Sequence, residues 1–358
     1  MEYVRLPGLN RMVSRISAGC WTIGGTAVNG GKPVGWDNVD AEAAYSGLVL
    51  AYQSGVTLFD TADVYGMGSS ERLVGRLLSG VPRNSVMVSS KGGYFAGTAR
   101  HPYLPQQLGH QFAVTLDNLG TDYLDVYHLH SGDFGPSDEY LQATVMAVRR
   151  LRKLGMVRAI GMRAPHRFAV EWADDPDHPW GEEASRFLHL FRTVQPDVLT
   201  VRRNLMTPLY EPGETDVFAF ARAESVGVLV KQTLGQGLLL GNYRAGQQRD
   251  FSAQDHRSRR SKDEALIRLM EKALEEIHGR FGKSRRDLAR VAVQYAVHDA
   301  PEAVALVGFR DASQIADTLA GAGRPLTDDD ITLVQNAMSS VREKMTEQRP
   351  NRLARQAD

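Results

Sequence analysis

Thr57-Leu58-Phe59-Asp60-Thr61-Ala62-Asp63-Val64-Tyr65-Gly66 decides how this chain is read. A short apolar run ends abruptly in a carboxylate, and a phenol follows five residues later. Two further runs have the same build. Val86-Met87-Val88-Ser89-Ser90-Lys91 ends in an ammonium, and Tyr123-Leu124-Asp125-Val126-Tyr127-His128-Leu129-His130 ends in an imidazole. Runs rich in Val, Ile and Leu without strict alternation are expected of strands buried on both faces. Asp60, Tyr65, Lys91 and His130 therefore sit at or just beyond consecutive strand ends. A phenol beside an ammonium can exchange a proton near neutral pH, which an isolated phenol, with pKa about 10, does poorly.

Outward from this core the chain alternates strand and helix. Eight strands are expected: Ser14–Cys20, Thr57–Ala62, Val86–Lys91, Tyr123–His130, Val157–Met162, Asp197–Asn204, Gly227–Thr233 and Ala303–Phe309. Helical patterns lie between them at Ala41–Gln53, Ser70–Leu78, Pro105–Leu119, Glu139–Leu154, Glu182–Arg192, Thr215–Glu224, Asp263–Phe281 and Asp311–Ala320. Ser70 before Glu71 reads as a hydroxyl cap with an acid at the positive helix end. Ser284 with Asp287 reads as a capping box opening a helix that runs to Val297. Gly55, Gly80, Gly120 and Gly155 mark helix ends. Eight such units predict a (β/α)8 TIM barrel, an α/β fold, over residues 1–346, with an N-terminal β-hairpin at Tyr3–Val13 and an extra C-terminal helix. Residues 347–358 read as a polar tail. Two long loops, Gly24–Val39 and Asn242–Lys262, exceed the usual length. The second, with Arg257, Arg259 and Arg260 beside Asp255 and Asp263, reads as a solvated loop.

Bulk properties narrow the class. With 358 residues, 42% apolar and 23% charged, the chain reads as an ordinary globular protein. Its 42 Lys plus Arg balance 42 Asp plus Glu, giving no support for nucleic-acid or acidic-membrane binding. No apolar run reaches the length of about 18 residues that suggests a membrane span, and no signal pattern opens the sequence. One cysteine, Cys20, excludes an internal disulfide and points to a reducing, cytoplasmic setting. No Cys/His metal spacing is present, so no metal is expected. Gly235-x-Gly237-x-x-x-Gly241 is not a Rossmann fingerprint, because its third glycine is one position late.

Phe59-Asp60-Thr61-Ala62-Asp63-Val64-Tyr65-Gly66, followed by Ser69-Ser70-Glu71 and Gly75, resembles the aldo-keto reductase signature. Lys91 and His130 follow in the order that family shows, and the resemblance runs to Val307-Gly308-Phe309-Arg310. It implies NADP-dependent hydride transfer to or from an aldehyde, ketone or sugar carbonyl. Tyr65 would be the general acid, Lys91 would lower its pKa, Asp60 would orient Lys91, and His130 would hydrogen-bond the carbonyl oxygen. His128, on the same strand face but farther from the mouth, reads as structural.

The same resemblance implies the cofactor's place. Arg163 and Ala164 stand where the family's Ser-Asn pair holds the nicotinamide amide. Thr200 stands for a Gln, and Lys231 where the ring is often covered. Leu234, Gly235 and Gly237 lie in the loop after the seventh strand. Gly308, Arg310, Gln314 and Thr318 correspond to the adenosine-phosphate end, with Thr318 in place of Asn. Trp21, Trp36 and Tyr94, with Phe95, are expected around the substrate. Arg163, Arg203 and Lys231 near the mouth point to a polar, anionic carbonyl compound. Two other readings of the tetrad are an acid–base lyase, dehydratase or isomerase with altered or lost nicotinamide binding, and a non-catalytic regulatory barrel.

Overall fold

In a computed structural model, which describes residues 1–207, 209–247, 251–259, 263–321 and 323–347, the eight expected runs form one closed parallel barrel. The strands are β1 (Tyr3–Leu6), β2 (Arg11–Ser14), β3 (Ile16–Gly19), β4 (Val28–Asn29), β5 (Lys32–Pro33), β6 (Leu58–Asp60), β7 (Met87–Gly92), β8 (Leu124–Leu129), β9 (Val157–Arg163), β10 (Val198–Arg202), β11 (Gly227–Lys231) and β12 (Val304–Gly308). The barrel closes in the order β3-β6-β7-β8-β9-β10-β11-β12 and back to β3. β1 and β2 pair as the expected antiparallel hairpin, with Val4 opposite Val13.

Register assigns each side chain to the barrel interior or to the helix layer. Leu58, Met87, Val126, Ala159, Val198, Leu229, Val304 and Leu306 form one inner cluster with Val4, Leu6 and Val13 of the hairpin. The hairpin is thus a plug under the barrel. Neighbouring residues Phe59, Val88, Tyr127, Ile160, Leu199 and Val228 point the other way, into the larger cluster beneath the helices. Both faces are apolar, which is why the strands do not alternate in sequence.

The helices are α1 (Ala41–Gln53), α2 (Ser69–Leu78), α3 (Pro105–Leu119), α4 (Leu141–Lys153), α5 (Gly181–Val194), α6 (Val217–Ala223), α7 (Glu264–Phe281), α8 (Arg285–Ala296), α9 (Ala312–Gly321), α10 (Asp328–Ala337) and α11 (Ser339–Glu347). The Ser284–Asp287 capping box opens α8 as expected. α10 opens on a second box, Thr327 with Asp330, which the sequence reading did not single out. Ser70 is not a cap. Gly68 occupies that place, and the buried Ser70 hydroxyl donates to the Cys20 carbonyl at 2.8 Å, tying α2 to the end of β3. Gly55, Gly120 and Gly155 turn through positive φ at helix ends; Gly80 does not. The polar tail expected at 347–358 lies outside the described residues except for its first. No described helix is long and apolar enough to cross a membrane.

Below the barrel, fully buried Asp125 accepts from Arg11 (3.0 Å), Arg83 (3.1 Å), Arg158 (2.7 Å) and the Val88 amide (2.9 Å). This carboxylate joins the hairpin plug to β7, β8 and β9. Removing it leaves three guanidinium groups facing one another around an uncompensated hole. Asp125→Ala is expected to cost about 3 kcal/mol of stability, read as a lower urea midpoint at unchanged slope. A loss below about 1 kcal/mol would contradict that role.

Candidate active site

The inner alternation continues upward from the apolar layer. On β6 it brings in Asp60, on β7 Ser89 and Lys91, and on β8 His128, then His130 just past the strand. On β9 it brings in Gly161 and Arg163, on β10 Thr200 and Arg202, and on β11 Lys231. The mouth is polar because these are the residues at the C-terminal strand ends, where barrel sites are built.

At its centre Lys91 donates to Asp60 Oδ2 at 2.6 Å and to the Thr61 carbonyl at 2.6 Å. Ser89 donates to Asp60 Oδ1 at 2.8 Å, so both carboxylate oxygens are engaged. Burial pulls the Lys91 ammonium toward neutrality, but Asp60 and Tyr65 outweigh it and hold its pKa above the ordinary lysine value. Lys91 is therefore charged.

Tyr65 lies in the tight turn after β6, where Gly66 and Gly68 take positive φ. A Cβ on Gly66 would overlap the Gly24 carbonyl, so glycine is required for this turn to seat against the first long loop. The Lys91 ammonium is 4.9 Å from the centre of the Tyr65 ring. The His130 ring stands edge-on to Tyr65 at 6.0 Å. Burial raises the Tyr65 phenol above its ordinary pKa, and Lys91 only partly draws it back. This corrects the expectation that Lys91 makes Tyr65 more acidic than usual. Desolvation of the phenolate is the larger effect here.

His130 is pushed well below the usual imidazole range, by burial first and then by Lys91, Lys231 and Arg163. It is neutral at pH 7, and its buried Nδ1 has no partner among the described residues. His128 is likewise neutral, for burial and the same lysines. Its ring lies over Gly161, where an added Cβ would come within 2.0 Å of Nδ1. The four tetrad residues are thus brought together, with His128 packed one layer deeper.

Beside the tetrad is a cluster of cations. Arg202 and Lys231 are register partners, and Arg163 pairs with Thr200 one strand away. Lys231 is pulled well below its ordinary pKa by burial, then by Arg163, Arg202 and Lys91. The expectation that Arg203 faces the mouth is corrected. Strand alternation sends it outward, its guanidinium 4.7 Å over Phe218 and 5.8 Å over Tyr295, and Arg202 takes the inward place.

The two long loops clasp each other. Asp255 accepts from the Asp37 amide at 2.9 Å and from Arg257 at 2.7 Å, and Asp37 accepts from the Ser252 amide at 3.0 Å. Arg257 stacks between Trp36 (4.3 Å) and Phe251 (4.2 Å). The second loop is therefore docked at Asp255 and Arg257, not solvated; Arg260 lies outside the described residues. Trp36 is almost fully buried in this clasp and T-stacked on Trp21 at 5.4 Å. Trp21 and Tyr94 are the aromatics that reach the tetrad, Trp21 at 6.2 Å from Tyr65 and Tyr94 at 5.1 Å from His130.

Asp63 and Glu71, the latter read from the sequence only as an acid at a helix start, are both buried and bear on each other's charge. Glu71 accepts from Ser90 (2.7 Å), Thr115 (2.9 Å) and Asn118 (3.0 Å). Burial, then Glu71, pushes Asp63 up to about 8. Asp63 is therefore mostly protonated at neutral pH.

The expected dinucleotide contacts divide. After β11, Leu234 (φ −89°) is followed by Gly235, Gln236 and Gly237 at φ 58°, 59° and 91°. Such reversals form backbone nests suited to phosphate oxygens. A Cβ on Gly237 would crowd Asn242 at 2.8 Å. Arg310 lies across the mouth, its guanidinium donating to the Asp37 and Asn38 carbonyls, with Gln314 accepting from its amide at 3.2 Å. A nest and a half-exposed guanidinium fit a phosphorylated nicotinamide cofactor. Thr318 is different: it is 1% exposed, and its hydroxyl donates to the Gln314 carbonyl.

Residues 15–338 match the aldo/keto reductase family. The chain is 25% identical to the aldo-keto reductase YhdN of Bacillus subtilis over 362 aligned residues, covering 95% of each protein. It is 24% identical to an NADH-specific methylglyoxal reductase of Escherichia coli, covering 95% of this chain and 99% of that one. A glycerol dehydrogenase structure from Gluconobacter oxydans superposes with a TM-score of 0.70 at 24% identity, covering 94% of this chain and 95% of the other; it shares the fold.

The contact of His128 with Gly161 gives a direct check on the packing beneath the site. Gly161→Ala is expected to lose about 1–3 kcal/mol by overpacking, measured by thermal melting. An unshifted melt would show that the ring is not held there.

Proposed function

This chain belongs to the aldo/keto reductase family and is an oxidoreductase, and on that premise we propose that it reduces a small carbonyl compound with NADPH, Tyr65 being the proton donor. The observation that carries this reading is the charged Lys91, ion-paired to Asp60 and set against the Tyr65 ring.

The carbonyl oxygen would lie between the Tyr65 hydroxyl and the His130 ring, flanked by Trp21 and Tyr94. Leu234, Gly235, Gly237, Gly308, Arg310 and Gln314 would hold the cofactor's phosphate-bearing end, and Thr200 would line the ring end. When bound, reduced nicotinamide supplies hydride to the carbonyl carbon. Tyr65 gives its proton to the carbonyl oxygen, and the phenolate left behind is stabilised by Lys91. Neutral His130 adds no charge that would repel an incoming proton donor, and its ring N–H can orient the carbonyl. Burial of Tyr65 keeps it protonated until the hydride arrives. The single cysteine, Cys20, is buried beneath the site. We assign the protein to the cytoplasm on the reducing chemistry that a lone thiol suits.

The pH dependence follows from these shifts. Reduction needs protonated Tyr65, and a raised pKa extends that form upward. The limb set by Tyr65 should therefore lie above the ordinary phenol value of about 10. Because His130 titrates well below the ordinary imidazole value, no step should appear near about 6.5. A bell centred there would contradict both assignments. Tyr65→Phe should lower kcat by about a hundredfold or more while NADPH affinity, followed by nicotinamide fluorescence, stays within about twofold. Loss of affinity in place of turnover would mean that Tyr65 acts in binding.

A further inference from the structure

Three consecutive strands present cations to the same space. Arg163 ends β9, Arg202 ends β10 and Lys231 ends β11, all on the inward alternation that carries the tetrad. Adjacent strands stand about 4.8 Å apart, so the three side chains start within one small molecule's width of each other. Asp60, the one inward carboxylate at the described strand ends, is committed to Lys91 and Ser89. Neither Arg163 nor Lys231 has a carboxylate within ion-pairing distance among the described residues. Lys231 bears the consequence: half-buried among like charges, its ammonium is destabilised. A folded protein tolerates such crowding where an anion from outside completes it. His130 is within electrostatic reach of both Lys231 and Arg163, so the cluster borders the position proposed for the reacting carbonyl.

We propose that Arg163 and Lys231 form a subsite for an oxyanion carried by the substrate, making the preferred substrates small carbonyl compounds that bear a carboxylate or a phosphate. This rests on the reductase reading for the reaction but not for the binding. Arg163 and Lys231 are thereby assigned to the substrate and not to the nicotinamide amide. The Arg163 guanidinium would grip two oxygens at once, and the Lys231 ammonium, stabilised once the anion is bound, would add a point charge deeper in the mouth.

Two sets of measurements on the full chain test it. Oxamate, a non-reducible mimic of a 2-oxo acid, and inorganic phosphate are titrated calorimetrically into wild type, Lys231→Met and Arg163→Gln. At least one anion should bind wild type and lose at least tenfold affinity in each variant. Tighter oxamate marks a carboxylate substrate, and tighter phosphate a phosphorylated one. Arg163 is exposed, so its variant reports even if the substitution at half-buried Lys231 impairs folding. In turnover, the kcat/KM ratio of phenylglyoxylate to its methyl ester should exceed ten at low salt and fall at least tenfold in both variants. Anion affinity unchanged in both variants, or an ester preferred by wild type, would overturn the subsite. So would a parallel fall in NADPH affinity, since the cations would then serve the cofactor's phosphates. Variant-sensitive anion binding with neither substrate reduced would instead sink the reductase reading and leave the subsite standing.

Discussion

Keeping one ammonium charged inside the protein is the constraint on which the site depends. Desolvating Lys91 is costly, and the cost is offset only by near-ideal partners. Asp60 and the Thr61 carbonyl supply them at 2.6 Å, and Ser89 holds the far oxygen of Asp60 so that the carboxylate cannot turn away. The arrangement requires β6 and β7 to be neighbours in a register that places Asp60 opposite Ser89. Tyr65, the proposed proton donor, depends on the same pair. Its phenol is kept protonated by burial, and its phenolate is made accessible by the charge beside it.

The barrel separates charge along its axis. At the bottom, three arginines converge on the single carboxylate of Asp125 and seal the hairpin plug. An apolar layer follows, then a middle layer in which His128 fills the space that Gly161 leaves. At the mouth the balance reverses: among the described strand ends, inward Arg and Lys side chains outnumber the inward carboxylate of Asp60. At the rim, Arg257 is shared between Asp255 and Asp37 in the loop clasp.

Much of this was legible in the sequence, for physical reasons. Strands buried on both faces leave continuous Val/Ile/Leu runs, and all eight were found. Tight turns leave glycine, and the Ser284–Asp287 box leaves a spacing. What was misread depended on three-dimensional alternatives. Ser70 has a cap residue's chemistry, but Gly68 begins the helix and the hydroxyl is drawn to Cys20. Arg202 and Arg203 are adjacent and alike, and only the pleat decides which faces in. Asp255 and Arg257 look like solvated loop charges until the loop is seen against Trp36. The raised pKa of Tyr65 could not be read from the nearness of Lys91, because burial, which has no sequence signature at a loop position, is the larger effect.

We propose that this mouth is built for hydride transfer from a nicotinamide cofactor and not for proton transfer alone. The most direct test is a fluorescence titration of the purified protein with NADPH and, in parallel, NADH. Saturable binding of NADPH below millimolar concentration is expected, with Arg310→Ala weakening it through loss of the phosphate contact. Absence of binding by either cofactor in that range would contradict the claim and leave the tetrad as an acid–base site.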